Sequence, residues 1–524
     1  MRRSLTSALL TMLLCGAPAG AQVLDATLVP AGRLRLQVHG VFDAWDARFG
    51  RAADGTERVE SLDDDLTDPT TISLFPGIAN LTDIVRDVTG LPDYEPVLGS
   101  TTGRVTHDIT RIDFGAHVGV FEWLTLGVVV PWMRTRTALD IYFEPDTLGA
   151  NLGLNPSITN GSAVDVFLGS TGSARTAAEG NATAMCAGGA SAECSAAQAL
   201  AARAGSFDAS LQAAYASSPF FPLAGSTVGD ALMQTATALS ADLTAAGLGS
   251  LAPIALASDQ LAAEGFALLP SVSGTGIEAA PLATRHSLWG TGDTEVSARL
   301  RLLGNLATSP DDALPDFGYR VTASFLARLP TGRPADPNVL FDVGLDDAQT
   351  DYEGGLHAML RFGRRLGLTA GGYYGIQGST TLTRRVVPPE QVIAPVATRR
   401  ELVWQPGSYV GGGIASSFHL SSALTLAGEY RFFLKRRDAF ELVSPDPDID
   451  PTVLALESGV KAHMIGGGLR YDTVLPWMRG EAPRALEVHV RLLSTIAGSG
   501  GQVPKTTRVE TGIRLFRRVW GEPR

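Results

Sequence analysis

The sequence predicts an all-β protein: a transmembrane antiparallel up-and-down β-barrel of about twelve strands with an Ala-rich helical extracellular insert. Two observations predict the barrel. Segments that alternate aliphatic with polar or glycine residues recur along the chain, and the connections between them are alternately short and long. The insert is predicted from one long stretch in which this alternation is lost.

Residues 1–21 have the features of a secretory signal peptide. Met1-Arg2-Arg3 is basic, Leu5 to Leu14 is apolar, and Ala19-Gly20-Ala21 supplies small residues before a cleavage site. The apolar run of about ten residues is too short to span a bilayer as a helix. Cys15 raises the alternative of a lipoprotein anchor, which Leu14 disfavours because such sites have a small residue there.

Composition limits the remaining classes. Hydrophobic residues make up 45% of the chain, yet no apolar run beyond the signal is long enough for a membrane helix. This leaves a large secreted domain or a barrel, and the 58 glycines favour many strands and turns. The formal charge of −12 makes nucleic acid an improbable partner.

The clearest strand pair lies between Ile112 and Trp132. Ile112, Phe114 and Ala116 alternate with Asp113, Gly115 and His117, and a second alternating run starts after a tight turn at Glu122. This pattern predicts a β-hairpin. An aliphatic face opposite a face of Asp, His, Gly and Thr is typical of a barrel strand between lipid and lumen.

Similar segments occur on both sides of the predicted insert. Residues 22–138 are predicted to hold strands 1–3 with a first long loop, and residues 290–524 to hold strands 4–12. In the segment Val460 to Tyr471 the facing is ambiguous, and Gly466-Gly467-Gly468 suggests a bulge. Because periplasmic turns are short and extracellular loops long, both termini are expected in the periplasm of a bacterial cell.

Aromatic residues are predicted to form two interfacial girdles. The girdle at the outer strand ends contains Trp45, Trp132, Trp289, Tyr374 and Trp404. The girdle at the inner ends contains Phe121, Trp123, Phe362 and Phe418.

Residues 139–289 form the predicted insert. Ser195-Ala-Ala-Gln198 and Thr227-Val-Gly-Asp230 resemble helix starts, and the helices are expected to end near Ser217 and Ala246. Cys186 and Cys194 are expected to form a disulfide in an oxidising compartment. In the first long loop, Asp63-Asp64-Asp65 and Asp68 are either a divalent-cation site or a solvated acidic run.

Two stretches resemble the outer-membrane proteins associated with meta-cleavage phenol degradation, which are grouped with the long-chain fatty acid and hydrocarbon transporters. They are Trp289-Gly-Thr-Gly-Asp-Thr-Glu-Val-Ser-Ala-Arg299, and Leu329-Pro-Thr-Gly332 followed by Val343-Gly-Leu-Asp-Asp-Ala-Gln-Thr-Asp351. The resemblance does not cover the insert. It implies passive uptake of small hydrophobic or aromatic compounds. About ten residues lie between the cleavage site and the first strand, too few for the fatty acid transporters' hatch, so any plug is expected to come from a loop.

If the aliphatic faces meet lipid, the opposite faces line the lumen, because Arg or Lys on the lipid face costs roughly 2–4 kcal/mol at mid-bilayer. Such residues either guide anionic solutes or fill a narrow interior as ion pairs. The lumen-lining candidates are Arg35, His39, Arg111, Asp113, His117, Glu295, Arg299, Arg301, Arg320, His357, Arg361, Glu429, Arg431, Glu487, His489, Arg491 and Arg514.

No enzyme, cofactor or metal site is expected. Ser417 and His419 lie on one strand with no Asp to complete a hydrolase triad, and scattered lumenal histidines are more often hydrogen-bonded filling than metal ligands. The alternative to a channel is a surface-structural or adhesive protein whose barrel anchors the insert. Expected partners are outer-membrane lipid and lipopolysaccharide, small apolar or aromatic solutes and the barrel assembly machinery.

Overall fold

The computed structural model describes residues 27–51, 56–75, 77–145, 149–280, 285–306, 316–339, 342–389, 391 and 393–520. The predicted signal peptide lies outside these residues. The strands are β1 Arg33–Trp45, β2 Ala47–Arg51, β3 Glu57–Ser61, β4 Ser100–Phe121, β5 Leu124–Glu144, β6 Leu152–Leu154, β7 Phe220–Pro222, β8 Arg285–Thr291, β9 Thr294–Gly304, β10 Phe317–Leu329, β11 Asp351–Phe362, β12 Leu366–Gln377, β13 Thr380–Arg385, β14 Arg399–Gln405, β15 Tyr409–His419, β16 Leu424–Lys435, β17 Ala439–Leu442, β18 Val460–Asp472, β19 Leu486–Ser499, β20 Val503–Pro504 and β21 Thr507–Arg518.

The helices are α1 Gly77–Thr89, α2 Pro156–Thr159, α3 Gly161–Cys186, α4 Ala192–Ser217, α5 Thr227–Ala245, α6 Ala263–Leu268 and α7 Val474–Met478. Within the described parts of the chain, no helix combines the length and apolar character needed to cross a bilayer.

The largest sheet closes into an antiparallel barrel. Its strand order is β4-β1-β21-β19-β18-β16-β15-β12-β11-β10-β9-β5, and β4 also pairs with β5. The short strand β8 pairs with β5 beyond the part that pairs with β9, so β8 and β9 form one wall strand interrupted at Gly292-Asp293. The barrel therefore has twelve strands, as predicted, and it closes because β4, the first strand of the order, pairs with β5, the last.

Side-chain facing follows the predicted alternation. On β4, Asp113 and His117 are buried, whereas the intervening Phe114 is exposed. The same holds on neighbouring strands, where Val38, Val128 and Leu356 are exposed on the outer face. An apolar outer face around a polar interior is the arrangement that lipid requires of a barrel.

The girdle prediction is wrong at two positions. Trp132, Trp289 and Tyr374 are exposed on the outer face, as are Phe121, Trp123, Phe362 and Phe418. Trp45 instead is buried and stacks on His107, with ring centroids 5.4 Å apart. Trp404 lies in the separate sheet β13-β14-β17, where it is buried against Phe440. This sheet has a small apolar core of its own.

Strands β4 and β5 extend beyond the barrel wall. They contain 22 and 21 residues, or roughly 70 Å at about 3.3 Å per residue, whereas a membrane band is about 25 Å tall. Their far ends, from Ser100 opposite Glu144 to Val105 opposite Leu139, pair with each other beyond the parts that pair with β1 and β8. This ribbon projects from the end of the barrel that carries the long connections, here called the loop end. The opposite end, with the hairpin at Glu122, is the turn end.

A helical cap packs on this ribbon. One apolar cluster joins Phe143 of β5 to Phe266 of α6, whose rings stack at 4.7 Å, and continues through α1, α3, α4 and α5. Cys186 and Cys194 form a disulfide that joins the end of α3 to the start of α4. The sequence predicted helices that start near Ser195 and Thr227, but it did not predict α3. Helix α4 begins at Ala192, with Ser191 as its N-cap, and not at Ser195.

The segment before β1 enters the lumen at the turn end. The backbone N–H of Val29 donates to Thr125 Oγ1 at 2.9 Å, and Arg299 donates to the carbonyl of Thr27 at 3.4 Å. Val29 is buried there. The expectation that any plug comes from a loop is therefore wrong in part, because residues 27–32 also enter the lumen.

Candidate functional site

The lumen brings the predicted polar residues together in two ion-pair networks. Because alternate residues of each strand face inward, the charged residues of neighbouring strands meet inside the barrel. The predicted residues that are buried are Arg35, His39, Asp113, His117, Glu295, Arg299, His357, Glu429, Arg431, Glu487 and His489. Those of intermediate exposure are Arg111, Arg301, Arg320, Arg361, Arg491 and Arg514.

The first network is centred on Arg111 and Arg328. Arg111 donates from Nε to Asp113 at 2.6 Å and from Nη2 to Glu295 on β9 at 2.9 Å. Arg328 on β10 lies 3.5 Å from the same Glu295 carboxylate. Sharing one buried carboxylate between two guanidinium groups ties β4, β9 and β10 together inside the lumen.

Arg328 also reaches across the lumen. It donates to Tyr409 Oη on β15 at 2.8 Å, and Tyr409 in turn donates to Glu353 at 3.2 Å. Arg328 lies 3.5 Å from Glu353 and 3.7 Å from Asp351. Strands β11 and β12 separate β10 from β15 in the wall, so this contact spans the interior and does not follow the sheet.

The second network is a cross-lumen strut formed by Arg431 and Glu510. Arg431 on β16 donates to both carboxylate oxygens of Glu510 on β21, at 2.8 and 3.1 Å, and from Nε to Glu429 at 3.0 Å. Strands β18 and β19 lie between β16 and β21. Arg491 Nη1 stands 3.8 Å from Glu510 Oε2. Bidentate pairing of this kind is strong and geometrically specific.

The four predicted histidines are also buried in the barrel. His39 Nδ1 is 3.5 Å from Asp113, and the His39 and His489 rings are 5.5 Å apart. Glu487 beside His489 pairs with Arg514 at 3.0 Å. His357 shares a 2.9 Å hydrogen bond with Ser324. His117 is buried against Gly127, where an added Cβ would lie 2.1 Å from the imidazole.

Two predicted arginines bind backbone near the turn end. Arg320 donates to the carbonyl of Leu306 at 3.4 Å, and Arg361 donates to the carbonyl of Gly363 at 3.2 Å. Arg301 lies opposite Thr322 in the sheet, next to a register shift in β10. These residues stabilise the rim of the barrel.

A cavity lies in the turn-end half of the lumen. It encloses about 100 Å³ and is lined by Thr27, Ala415, Ala427, Glu429 and Arg491, among others. An apolar cavity that binds benzene in a protein core is about 150 Å³. The volume of this cavity is therefore below that benchmark, and its lining includes the charged side chains of Glu429 and Arg491.

Sequence reasoning missed an acidic cluster beside the first network. Asp293, Asp346 and Asp347 are all buried, and one carboxylate oxygen of each lies within 4.8 Å of the others. Burial raises the pKa of Asp346, and burial together with the charge of Asp346 raises the pKa of Asp347 well above its usual range. The three residues come from segments about fifty positions apart, so only their spacing in the fold reveals the cluster.

The acidic run of the first long loop has a different arrangement. Asp65 lies 2.9 Å from Arg48, which also pairs with Glu60 at 2.7 Å, while Asp68 accepts hydrogen bonds from the backbone and hydroxyl of Thr70. Burial raises the pKa of Asp65, and Arg48 opposes this. Asp65 and Asp68 are buried and hold loop structure, so neither of the two alternatives, a cation site or a solvated acidic run, describes them.

A closed barrel with an apolar outer face and a charged interior defines the class of protein: a β-barrel membrane protein of the outer-membrane type. No protein-family model matches the chain. No curated protein matches it at a significant level.

Solved structures of low similarity include three outer-membrane proteins. An outer membrane channel from Pseudomonas putida F1 is 8% identical, with 94% of this chain and 98% of that chain covered and a TM-score of 0.42. The toluene transporter TodX of Pseudomonas putida is 11% identical, with 99% and 96% covered and a TM-score of 0.26. A Pseudomonas aeruginosa FadL homologue is 8% identical, with 99% and 100% covered and a TM-score of 0.27. At these scores the fold assignment rests on the strand pairing of this chain itself.

Proposed function

We propose that the protein is an outer-membrane channel for passive uptake of small hydrophobic or aromatic compounds. The observation that carries the proposal is the charged lumen inside a barrel whose outer face is apolar, since the lumen is then the polar route through the membrane. The solute class rests on the resemblance of residues 289–299, 329–332 and 343–351 to the hydrocarbon transporters. The turn end faces the periplasm in this proposal, and the cap faces outward.

Passage requires the lumen to widen. The Arg431–Glu510 strut and the Arg328–Tyr409 contact cross the interior beside a cavity of about 100 Å³. The proposed channel is therefore gated: solute entry accompanies movement of the segment at residues 27–32 or parting of a cross-lumen contact. Charged partners that exchange between alternative hydrogen-bond acceptors are suited to such a change.

Uptake by cells tests the proposal. A strain that lacks the gene is compared with the same strain expressing the protein, using radiolabelled toluene, benzoate and octane at low concentration. Faster initial uptake of at least one of these compounds in the expressing strain is expected. Equal uptake of all three by the two strains would contradict the proposal.

The alternative is an adhesive or structural surface protein. The long hairpin of α3 and α4 favours it, because two helices of 26 residues each extend about 39 Å and are tied at one end by a disulfide. Removing residues 151–281 separates the two functions. An anchor loses surface binding and never accelerates uptake, whereas a channel retains or gains permeability.

A further inference from the structure

We propose that Asp293, Asp346 and Asp347, with the amide oxygen of Gln349, bind one Ca²⁺ ion that fastens the connection between β10 and β11 to the wall of the barrel. The proposal is independent of the solute carried. It rests on three observations: the convergence of three chain segments, a set of buried oxygens without hydrogen-bond donors, and an excess of buried negative charge.

Three segments converge at the interruption between β8 and β9. Asp293 Oδ1 accepts from the backbone N–H groups of Thr331 and Gly332, at 2.9 and 2.8 Å. The backbone N–H of Asp293 donates to Asp346 Oδ2 at 2.7 Å. The wall of the barrel and both ends of the β10–β11 connection are thereby held at one point, which fixes the positions of the carboxylates.

The carboxylates are close together and removed from water. Asp293, Asp346 and Asp347 are 2%, 6% and 9% exposed, and an oxygen of each lies within 4.8 Å of the others. Ca²⁺ takes six to eight oxygen ligands in a flexible geometry, whereas Mg²⁺ usually keeps several waters and is seldom held by an all-protein set of ligands. A buried group of protein oxygens within 4.8 Å of one another therefore suits Ca²⁺ better than Mg²⁺.

Buried acceptors at the cluster lack donors. Among the residues that the structure describes, neither Asp347 Oδ1 nor Gln349 Oε1 has a hydrogen-bond partner. Gln349 is 2% exposed, and its Nε2 donates to Asp347 Oδ2 at 2.8 Å, which places the amide against the cluster. A buried oxygen without a donor is costly, and a hard cation ligated by oxygen removes that cost.

The nearby guanidinium groups are already engaged. Arg111 pairs with Asp113 and Glu295, and Arg328 pairs with Glu295, Asp351 and Glu353. With the three aspartates of the cluster, two guanidinium groups stand among seven carboxylates. Because carboxylates crowded in a low dielectric repel one another, a divalent ion supplies the missing positive charge. An all-oxygen donor set favours Ca²⁺ or Mg²⁺ over softer metals.

Calcium binding to the purified full-length protein tests the proposal. The protein in detergent is stripped with a chelator and dialysed against ⁴⁵Ca²⁺, and its thermal midpoint is followed as Ca²⁺ is added. We expect one Ca²⁺ per chain, a midpoint that rises with Ca²⁺ concentration, and at least tenfold weaker binding of Mg²⁺. Absence of bound Ca²⁺, or equal affinity for Mg²⁺, would overturn the assignment.

Variants locate the ion. Asp347→Asn and Asp346→Asn each remove a charged ligand with little change of shape, and both should abolish the Ca²⁺-dependent rise. Asp336→Asn, in the same connection but outside the cluster, is the matched control and should bind as wild type does. Wild-type Ca²⁺ affinity in both cluster variants, or loss of binding in the control, refutes the site. If wild type shows no response to Ca²⁺ and the variants melt at a higher temperature than wild type, the carboxyl groups share protons instead of a metal ion. That result also overturns the proposal.

Discussion

Replacing Glu510 with Gln should destabilise the barrel by about 3 kcal/mol. Glu510 is 0% exposed and accepts two charged hydrogen bonds from Arg431, at 2.8 and 3.1 Å. Removing one member of a buried ion pair costs roughly 3–5 kcal/mol. The lower part of that range applies because Glu429 still pairs with Arg431 at 3.0 Å and because the Gln oxygen still accepts one of the two bonds.

Urea unfolding in lipid vesicles, followed by tryptophan fluorescence, measures the loss. Asp242→Asn is the matched control, because its pair with Arg203 lies on the cap surface with side chains 53% and 57% exposed, and should cost under about 1 kcal/mol. If Glu510→Gln costs no more than this control, the Arg431–Glu510 pair is solvated, contrary to the burial of Glu510.

Two further substitutions probe the outer face and the cap. Val128→Arg, on the outer face of β5, should cost roughly 2–4 kcal/mol in the same vesicle assay, and a cost near zero would place that face away from lipid. Replacing Cys186 and Cys194 with Ser opens a loop with a sequence separation of 8 and should destabilise the α3–α4 hairpin by about 2–3 kcal/mol. Limited proteolysis should then cut the hairpin faster while the barrel stays resistant, and an unchanged rate of cutting would show that the disulfide adds nothing.

Local patterning predicts much of this fold. The alternation in Ile112 to Trp132 gives the facing of β4 and β5 and places their turn at Glu122, because period-2 alternation is a property of neighbouring residues alone. In α5, Val228, Leu232 and Leu239 share the buried face, because residues four and seven apart lie on one side of a helix. The Ser226 cap is one residue from the predicted start.

Features that depend on distant contacts were not predictable in this way. Helix α3 has little amphipathic character, so its sequence has no helical periodicity from which it could be predicted. It is helical because Phe167 and neighbouring small residues pack against α4. The register shift in β18 falls between His463 and Met464 and not at the glycine run. The Arg431–Glu510 pairing and the acidic cluster likewise arise only when distant segments meet.

The most direct test of the channel proposal compares two tryptophans placed on adjacent positions of β15. Ala415 lines the cavity of about 100 Å³, and Ile414 points outward to lipid. Ala415→Trp should lower initial solute uptake severalfold by filling the lumen, while Ile414→Trp, at equal abundance in the membrane, should leave uptake at the wild-type rate. Equal uptake by both variants and wild type would contradict a lumenal route, and the barrel would then serve as an anchor for its cap.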